Sequence, residues 1–128
     1  MRILLIGAGA VGGWIGANLL RAGNEVVFVG RQPFMDAVLA DGLRVNLPRG
    51  GAWHMTPPHV RLSVADALPD GPFDAAVLCV KTYALSAALT EIAPHAAQIG
   101  QLVTFQNGVG AEDEAARHFG AARVTAAS

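Results

Sequence analysis

Six residues near the start of the chain, Gly7-Ala8-Gly9-Ala10-Val11-Gly12, satisfy the spacing G-x-G-x-x-G. Each glycine has a separate job in that spacing. The first permits a tight turn out of a strand, the second lets the main chain approach a pyrophosphate, and the third lets a helix pack closely on the sheet. Phosphate oxygens then meet the free N–H groups and the positive end of that helix. The pattern alone is weak in a chain carrying 15 glycines. Here the apolar run Ile3 to Ile6 leads directly into it and a helical pattern leads directly out. That context makes the pattern a dinucleotide fingerprint rather than a bare structural turn.

A second signal lies about 20 residues beyond the glycines, where a strand should end beside the adenosine ribose. NAD-selective sites place Asp or Glu there to hold the ribose 2′-hydroxyl. This sequence reads Val29-Gly30-Arg31-Gln32, and the nearest acid, Glu25, falls at the opposite end of the strand. With no carboxylate to repel it, a 2′-phosphate can sit against the Arg31 guanidinium, which can also stack on adenine. Arg31 as an ordinary solvated cation is the plain alternative. Its position and the missing acid together favour NADP.

Lys81 is the sole lysine beside eight arginines, and it closes the apolar run Ala75 to Val80. At the carboxyl end of a strand it would project into the crevice where such sheets bind ligands. Its compact ammonium suits a small polar target better than the fork of an arginine. Asn107 follows a further run, Leu102 to Phe105, in the turn Gln106-Asn107-Gly108-Val109-Gly110. Asn-Gly is also an ordinary turn signal, so spacing alone leaves Asn107 open. Other titratable candidates are Cys79, Tyr83, His54, His59, His95 and His118. No histidine falls at an expected carboxyl strand end, so all four are read as surface residues.

The elements that must position these groups alternate between strand and helix. Strands are expected at Ile3 to Ile6, Glu25 to Val29, Ala75 to Val80, Leu102 to Phe105 and Arg123 to Ala126. Helices are expected from Ala10 to Arg21, from Pro33 to Asp41, from about Ala84 to Ile92, and from Ala111 to Phe119. Glu112, Asp113 and Glu114 in the first turn of the last helix suit its dipole. Residues 43–65 read as an irregular β excursion. Leu43 to Leu47 would form one strand, Pro48 to Gly51 a turn, and Trp53 to Met55 and Val60 to Leu62 short return strands. The alternation argues an α/β, doubly wound, mostly parallel Rossmann-type sheet.

Composition bounds the function classes. The chain has 128 residues, 52% hydrophobic and only 15% charged, which excludes a disordered chain and fits one domain with some apolar surface awaiting a partner. A net charge of -1 gives no footprint for nucleic acid or an anionic membrane. No apolar stretch reaches the roughly 18 residues of a membrane span. A lone cysteine forms neither an internal disulfide nor a metal cluster, so no metal site is expected and a reducing cytoplasm is.

In order along the chain, Gly7 to Gly13, Gly30-Arg31, Cys79-Val80-Lys81-Thr82-Tyr83 and Gln106-Asn107-Gly108-Val109-Gly110 resemble the 2-dehydropantoate 2-reductase (ketopantoate reductase) family. The resemblance implies NADPH-dependent reduction of 2-dehydropantoate, or a related 2-oxo acid, to the 2-hydroxy acid on the way to pantothenate and coenzyme A. It implies that Gly7, Ala8, Gly9, Ala10, Val11 and Gly12 hold the pyrophosphate and Arg31 the 2′-phosphate. Lys81 and Asn107 would line the nicotinamide and substrate end, touching both cofactor and substrate. The family takes its proton-donating lysine and most substrate contacts from a helical second domain. Residues 1–128 are therefore expected to be the dinucleotide-binding domain without that second domain. Such a chain would be inactive alone, with Lys81 at most a catalytic auxiliary, and would self-associate or bind the missing domain. A free-standing NADP-binding or redox-sensing module is the competing reading; the retained Lys81 and Asn107 favour the reductase.

Overall fold

A computed structural model of the chain describes all residues except 8–9, 31, 47–48, 56–60, 64–67, 69–70, 106–110 and 127–128. The apolar runs become strands buried on both faces. β1 (Arg2–Ile6) leads to α1 (Ala10–Arg21), then β2 (Glu25–Val29) and α2 (Gln32–Asp41). A small excursion follows, with β3 (Leu43–Asn46), β4 (Ala52–Met55) and β5 (Arg61–Ser63). Regular alternation resumes with β6 (Phe73–Leu78), α3 (Leu85–Ile92), β7 (Ile99–Thr104), α4 (Ala111–Phe119) and β8 (Val124–Ala126). Six strands pair in parallel in the order β5-β2-β1-β6-β7-β8. The chain winds outward from β1 to β2 and β5, then returns to β6 on the other side of β1. The strand order thus reverses between β1 and β6, and the crevice at their carboxyl ends is where such sheets hold ligands.

Side chains alternate across the sheet and build two core layers. Leu4, Ile6, Val27, Leu78 and Leu102 pack against one face with residues of α3 and α4, among them Leu89, Ile92 and Phe119. Ile3, Leu5, Val26, Phe28 and Val77 pack on the other with Ala17 of α1 and Val38 of α2. Gly16 lets α1 lie tight on that face. A Cβ there would stand 2.5 Å from two Phe28 ring carbons, which offsets the low helix propensity of glycine. Gly23, at φ 94°, ends α1: its N–H donates to the Leu20 carbonyl and that of Asn24 to the Leu19 carbonyl, a Schellman arrangement.

The excursion departs from expectation. β3 and β4 form an antiparallel hairpin of their own, with Arg44 opposite His54 and Val45 opposite Trp53. β5 is not a return strand of that hairpin. It joins the main sheet in parallel, with Val27, Phe28 and Val29 opposite Arg61, Leu62 and Ser63. Leu47 and Val60 lie outside the described residues. Two strands of the main sheet start earlier than expected. β6 starts at Phe73 rather than Ala75, because the intervening Asp74 accepts the Arg2 main-chain N–H at 2.7 Å. β7 starts at Ile99 rather than Leu102, with Gly100 where a Cβ would lie 2.9 Å from the Asp74 carbonyl oxygen.

Candidate active site

The site is assembled where β1 and β6 end side by side. Gly7 follows β1 with φ 87°, a left-handed conformation that side chains rarely adopt. Its N–H donates to the Val29 carbonyl at 3.2 Å, while the Cys79 N–H donates to the Ile6 carbonyl at 2.8 Å. A Cβ on Gly7 would come within 2.6 Å of the Val80 side chain and 3.0 Å of the Cys79 main chain. A Cβ on Gly12 would come within 2.1 Å of the Gly7 carbonyl oxygen. Both glycines are therefore required by close approach, one to the end of β6 and the other of helix to turn. α1 opens at Ala10, so its first N–H groups, which no intrahelical carbonyl can satisfy, face this crossing. Ala10 and Val11 supply main chain in that first turn. Ala8 and Gly9 lie outside the described residues.

Lys81 does not end a strand as expected, since β6 stops at Leu78. It stands three residues on, exposed, at the carboxyl end of the sheet. Its carbonyl accepts the Ala84 N–H at 2.8 Å, which starts the short 3-10 turn Thr82–Ala84 leading into α3. Tyr83 on that turn is 87% exposed. Arg31 and Asn107 lie outside the described residues. The flanking elements are described: β2 ends at Val29 and α2 begins at Gln32, while β7 ends at Thr104 and α4 begins at Ala111. Glu25 lies at the amino end of β2, ion-paired with Arg2.

Cys79, beside Gly12, is half-buried, and burial pushes its thiol pKa up to about 11. It is therefore a neutral thiol near pH 7. His54 and His118 are exposed, and His95 is partly so; His54, on β4 of the hairpin, has its Nε2 2.5 Å from the Asp41 carbonyl at the end of α2. His59 lies outside the described residues. No metal-ligating cluster occurs among the described residues. Sequence reasoning gave no role to Val80, whose side chain lines the Gly7 crossing, although it stands in the Cys79 to Tyr83 motif, and missed Thr104, which is buried at the end of β7. Thr104 carries no signal in the sequence, where it reads as an ordinary β-branched strand residue.

The strand order, the glycine crossing and the helix start at the switch point define a doubly wound α/β domain of Rossmann type. Residues 3–128 match the family described as Ketopantoate reductase PanE/ApbA, and the chain belongs to that family. It is 40% identical over 110 residues to 2-dehydropantoate 2-reductase of Mesorhizobium japonicum, a match covering 85% of this chain and 32% of that protein. The fold is similar to the crystal structure of 2-dehydropantoate 2-reductase from Geobacter metallireducens GS-15, with TM-score 0.79 and 32% identity over 98% of this chain and 40% of that one. It also superposes on D-mandelate dehydrogenase with NADH and anilino(oxo)acetate, with TM-score 0.87 over 100% of this chain and 40% of that one. At 23% identity, the latter likeness is one of fold. The chain spans about a third of the length of the curated relatives it matches. Among the described residues, no helix is long and apolar enough to cross a membrane.

Proposed function

We propose that the chain is the cofactor-binding part of an NADPH-dependent reductase acting on 2-dehydropantoate or a closely related 2-oxo acid. The observation that carries the cofactor reading is the crossing of Gly7 and Gly12 under the amino end of α1. It is a cradle that a single Cβ would fill, at the place where a pyrophosphate meets free N–H groups. Glycines at 7 and 12 hold the main chain open, and Ala10 and Val11 present the helix start. Arg31, between β2 and α2, would take the 2′-phosphate. Glu25, at the far end of β2 and engaged by Arg2, is in no position to take a ribose hydroxyl. The substrate class comes from the named relatives, and Lys81 and Asn107 are the residues proposed to meet it.

The bound dinucleotide would supply a hydride to the ketone carbon. The chain's own residues must then orient the substrate and support the developing alkoxide until a proton arrives. Lys81 is a cation at the right end of the sheet, but it stands in bulk water, where its charge is strongly screened. On this reading the 128-residue chain holds the cofactor and does not sustain turnover by itself.

Calorimetric titration of the chain with NADPH and NADH, alongside steady-state NADPH oxidation with 2-dehydropantoate, tests the reading. It requires tighter binding of NADPH than NADH and no sustained oxidation. Binding of neither dinucleotide would refute the cofactor assignment. Sustained turnover would make Lys81 or Tyr83 the acid and refute the division of labour.

A further inference from the structure

Gly7 is confined from three directions, and one of them is a side chain. Its N–H donates to the Val29 carbonyl at the end of β2, and α1 approaches so closely that a Cβ on Gly12 would stand 2.1 Å from the Gly7 carbonyl oxygen. The side chain is that of Val80. A Cβ on Gly7 would stand 2.6 Å from Val80 Cγ1, so this methyl fills the space that a side chain at position 7 would need. Glycine has the widest choice of backbone conformations, and Gly7 is held at φ 87°. A main chain that free takes one conformation only where its surroundings impose it. Valine suits that task, because branching at Cβ restricts χ1 and Cγ1 cannot easily swing aside. Its own place is fixed as well. The Cys79 N–H just before it donates to the Ile6 carbonyl at 2.8 Å, and the half-buried Val80 side chain packs on the core layer that holds Ile6, Leu78 and Leu102. Val80 thus links the core beneath β6 to the glycine that follows β1.

We propose that Val80 is a positioning residue for the dinucleotide: its Cγ1 holds Gly7 in the left-handed conformation before the ligand arrives. It acts through the shape of its contact with the Gly7 main chain, which binding then does not have to order. The inference rests on the cofactor reading above.

The test compares Val80→Ala, Val80→Thr and Val124→Ala in the 128-residue chain, by NADPH titration and by urea melting without ligand. Val124 is half-buried on the same core layer but on β8, two strands from β6. Val80→Ala removes Cγ1 and should weaken NADPH binding about tenfold, the cost of ordering one backbone residue on binding. Threonine keeps the shape of valine but not its apolar surface. Val80→Thr should therefore lower the urea midpoint yet hold affinity within about twofold. Val124→Ala should also melt earlier, with affinity unchanged. In the unliganded wild type, ¹⁵N relaxation should give the Gly7 amide an order parameter of about 0.85, as for a rigid strand, and a lower value in Val80→Ala. A wild-type value below about 0.6 overturns the proposal, even where the alanine variant does not fold. So does an alanine variant with wild-type affinity, or a Val80→Thr or Val124→Ala variant that loses as much affinity as Val80→Ala. If the wild type binds no dinucleotide, the cofactor reading fails and the positioning role goes with it, however ordered Gly7 is.

Discussion

The two ends of the parallel sheet treat their polar groups in opposite ways. At the amino end they are engaged with one another. The Arg2 guanidinium pairs with Glu25 and lies 4.6 Å over the Phe73 ring, while its main-chain N–H donates to Asp74. Arg123 donates to the carbonyls of Ala96 and Ile99 and stacks on Phe119, and the Gly71 N–H donates to Gln98 Oε1 at 3.1 Å. At the carboxyl end the described residues do the reverse. Gly7 and Gly12 carry no side chain, Lys81 and Tyr83 face water, and the Thr104 hydroxyl is unpaired. Helix starts add free N–H groups on the same side. One end is built to hold strands together. The other leaves main chain and polar groups available to a ligand, which is why changes at the two ends should separate stability from binding.

The largest effect is expected at the glycine crossing. Gly12→Val puts a Cβ where the Gly7 carbonyl oxygen stands 2.1 Å away, so helix and turn must part. NADPH affinity should fall by about 100-fold or more, since the change removes the close approach that several phosphate hydrogen bonds share. Thermal melting should also shift down. Calorimetry showing near-normal affinity would break the assignment of the carboxyl end as the ligand side. Next comes Arg31→Ala, for which NADPH binding should weaken by about 10- to 100-fold through loss of a charged hydrogen bond. NADH binding should barely move, and equal losses for both cofactors would remove the NADP preference from Arg31.

The amino end should respond in the opposite sense. Arg123→Met removes charge-assisted bonds to three carbonyls, those of Ala96, Ile99 and Gly100, and should lower unfolding stability by about 1.5–3 kcal/mol in urea. NADPH affinity of the folded variant should stay within about twofold of wild type, well under the tenfold that one hydrogen bond commands. A large affinity loss would show that the two ends are not separable. The smallest effect belongs to Cys79. Its folded pKa of about 11 lies above the ordinary thiol value, so the folded state holds the proton more tightly. The resulting stabilisation is fully present at neutral pH and fades as pH rises from about 8.5 toward 11. At pH 7.5 iodoacetamide should alkylate Cys79 about tenfold or more slowly than free cysteine, since only the thiolate reacts. Rapid alkylation of the folded chain would return Cys79 to the list of reactive groups.

The elements easiest to read from sequence were those with strong local signals. α1 and β2 have their expected bounds because Gly23-Asn24 closes the helix and a continuous Val-Val-Phe-Val run follows. α4 is bounded as expected by Ala111 and Phe119. β6 and β7 begin earlier than their apolar runs because Asp74, Gly100 and Gln101 look like loop residues in sequence. Their polar groups find partners across the sheet, Asp74 with Arg2 and Gln101 with Thr125 at 2.6 Å. The sheet to which β5 belongs is not legible in sequence, because three residues are too few to show a period and only pairing with β2 reveals it. At the site, Gly7 and Gly12 were legible because spacing and sequence context together specify them. Lys81 was placed at the right end of the sheet but on the wrong element. Thr104 was invisible, since an unpaired hydroxyl is a property of packing rather than of residue type.

The most direct test of the division between the two ends is a residue-resolved one. Uniformly ¹⁵N-labelled chain titrated with NADPH should show amide shifts concentrated at the carboxyl end, at Gly7, Ala10, Gly12, Lys81 and Thr104. The amides of Arg2, Glu25, Asp74 and Arg123 should remain in place. Shifts centred on the amino end, or none at saturating NADPH, would contradict the account.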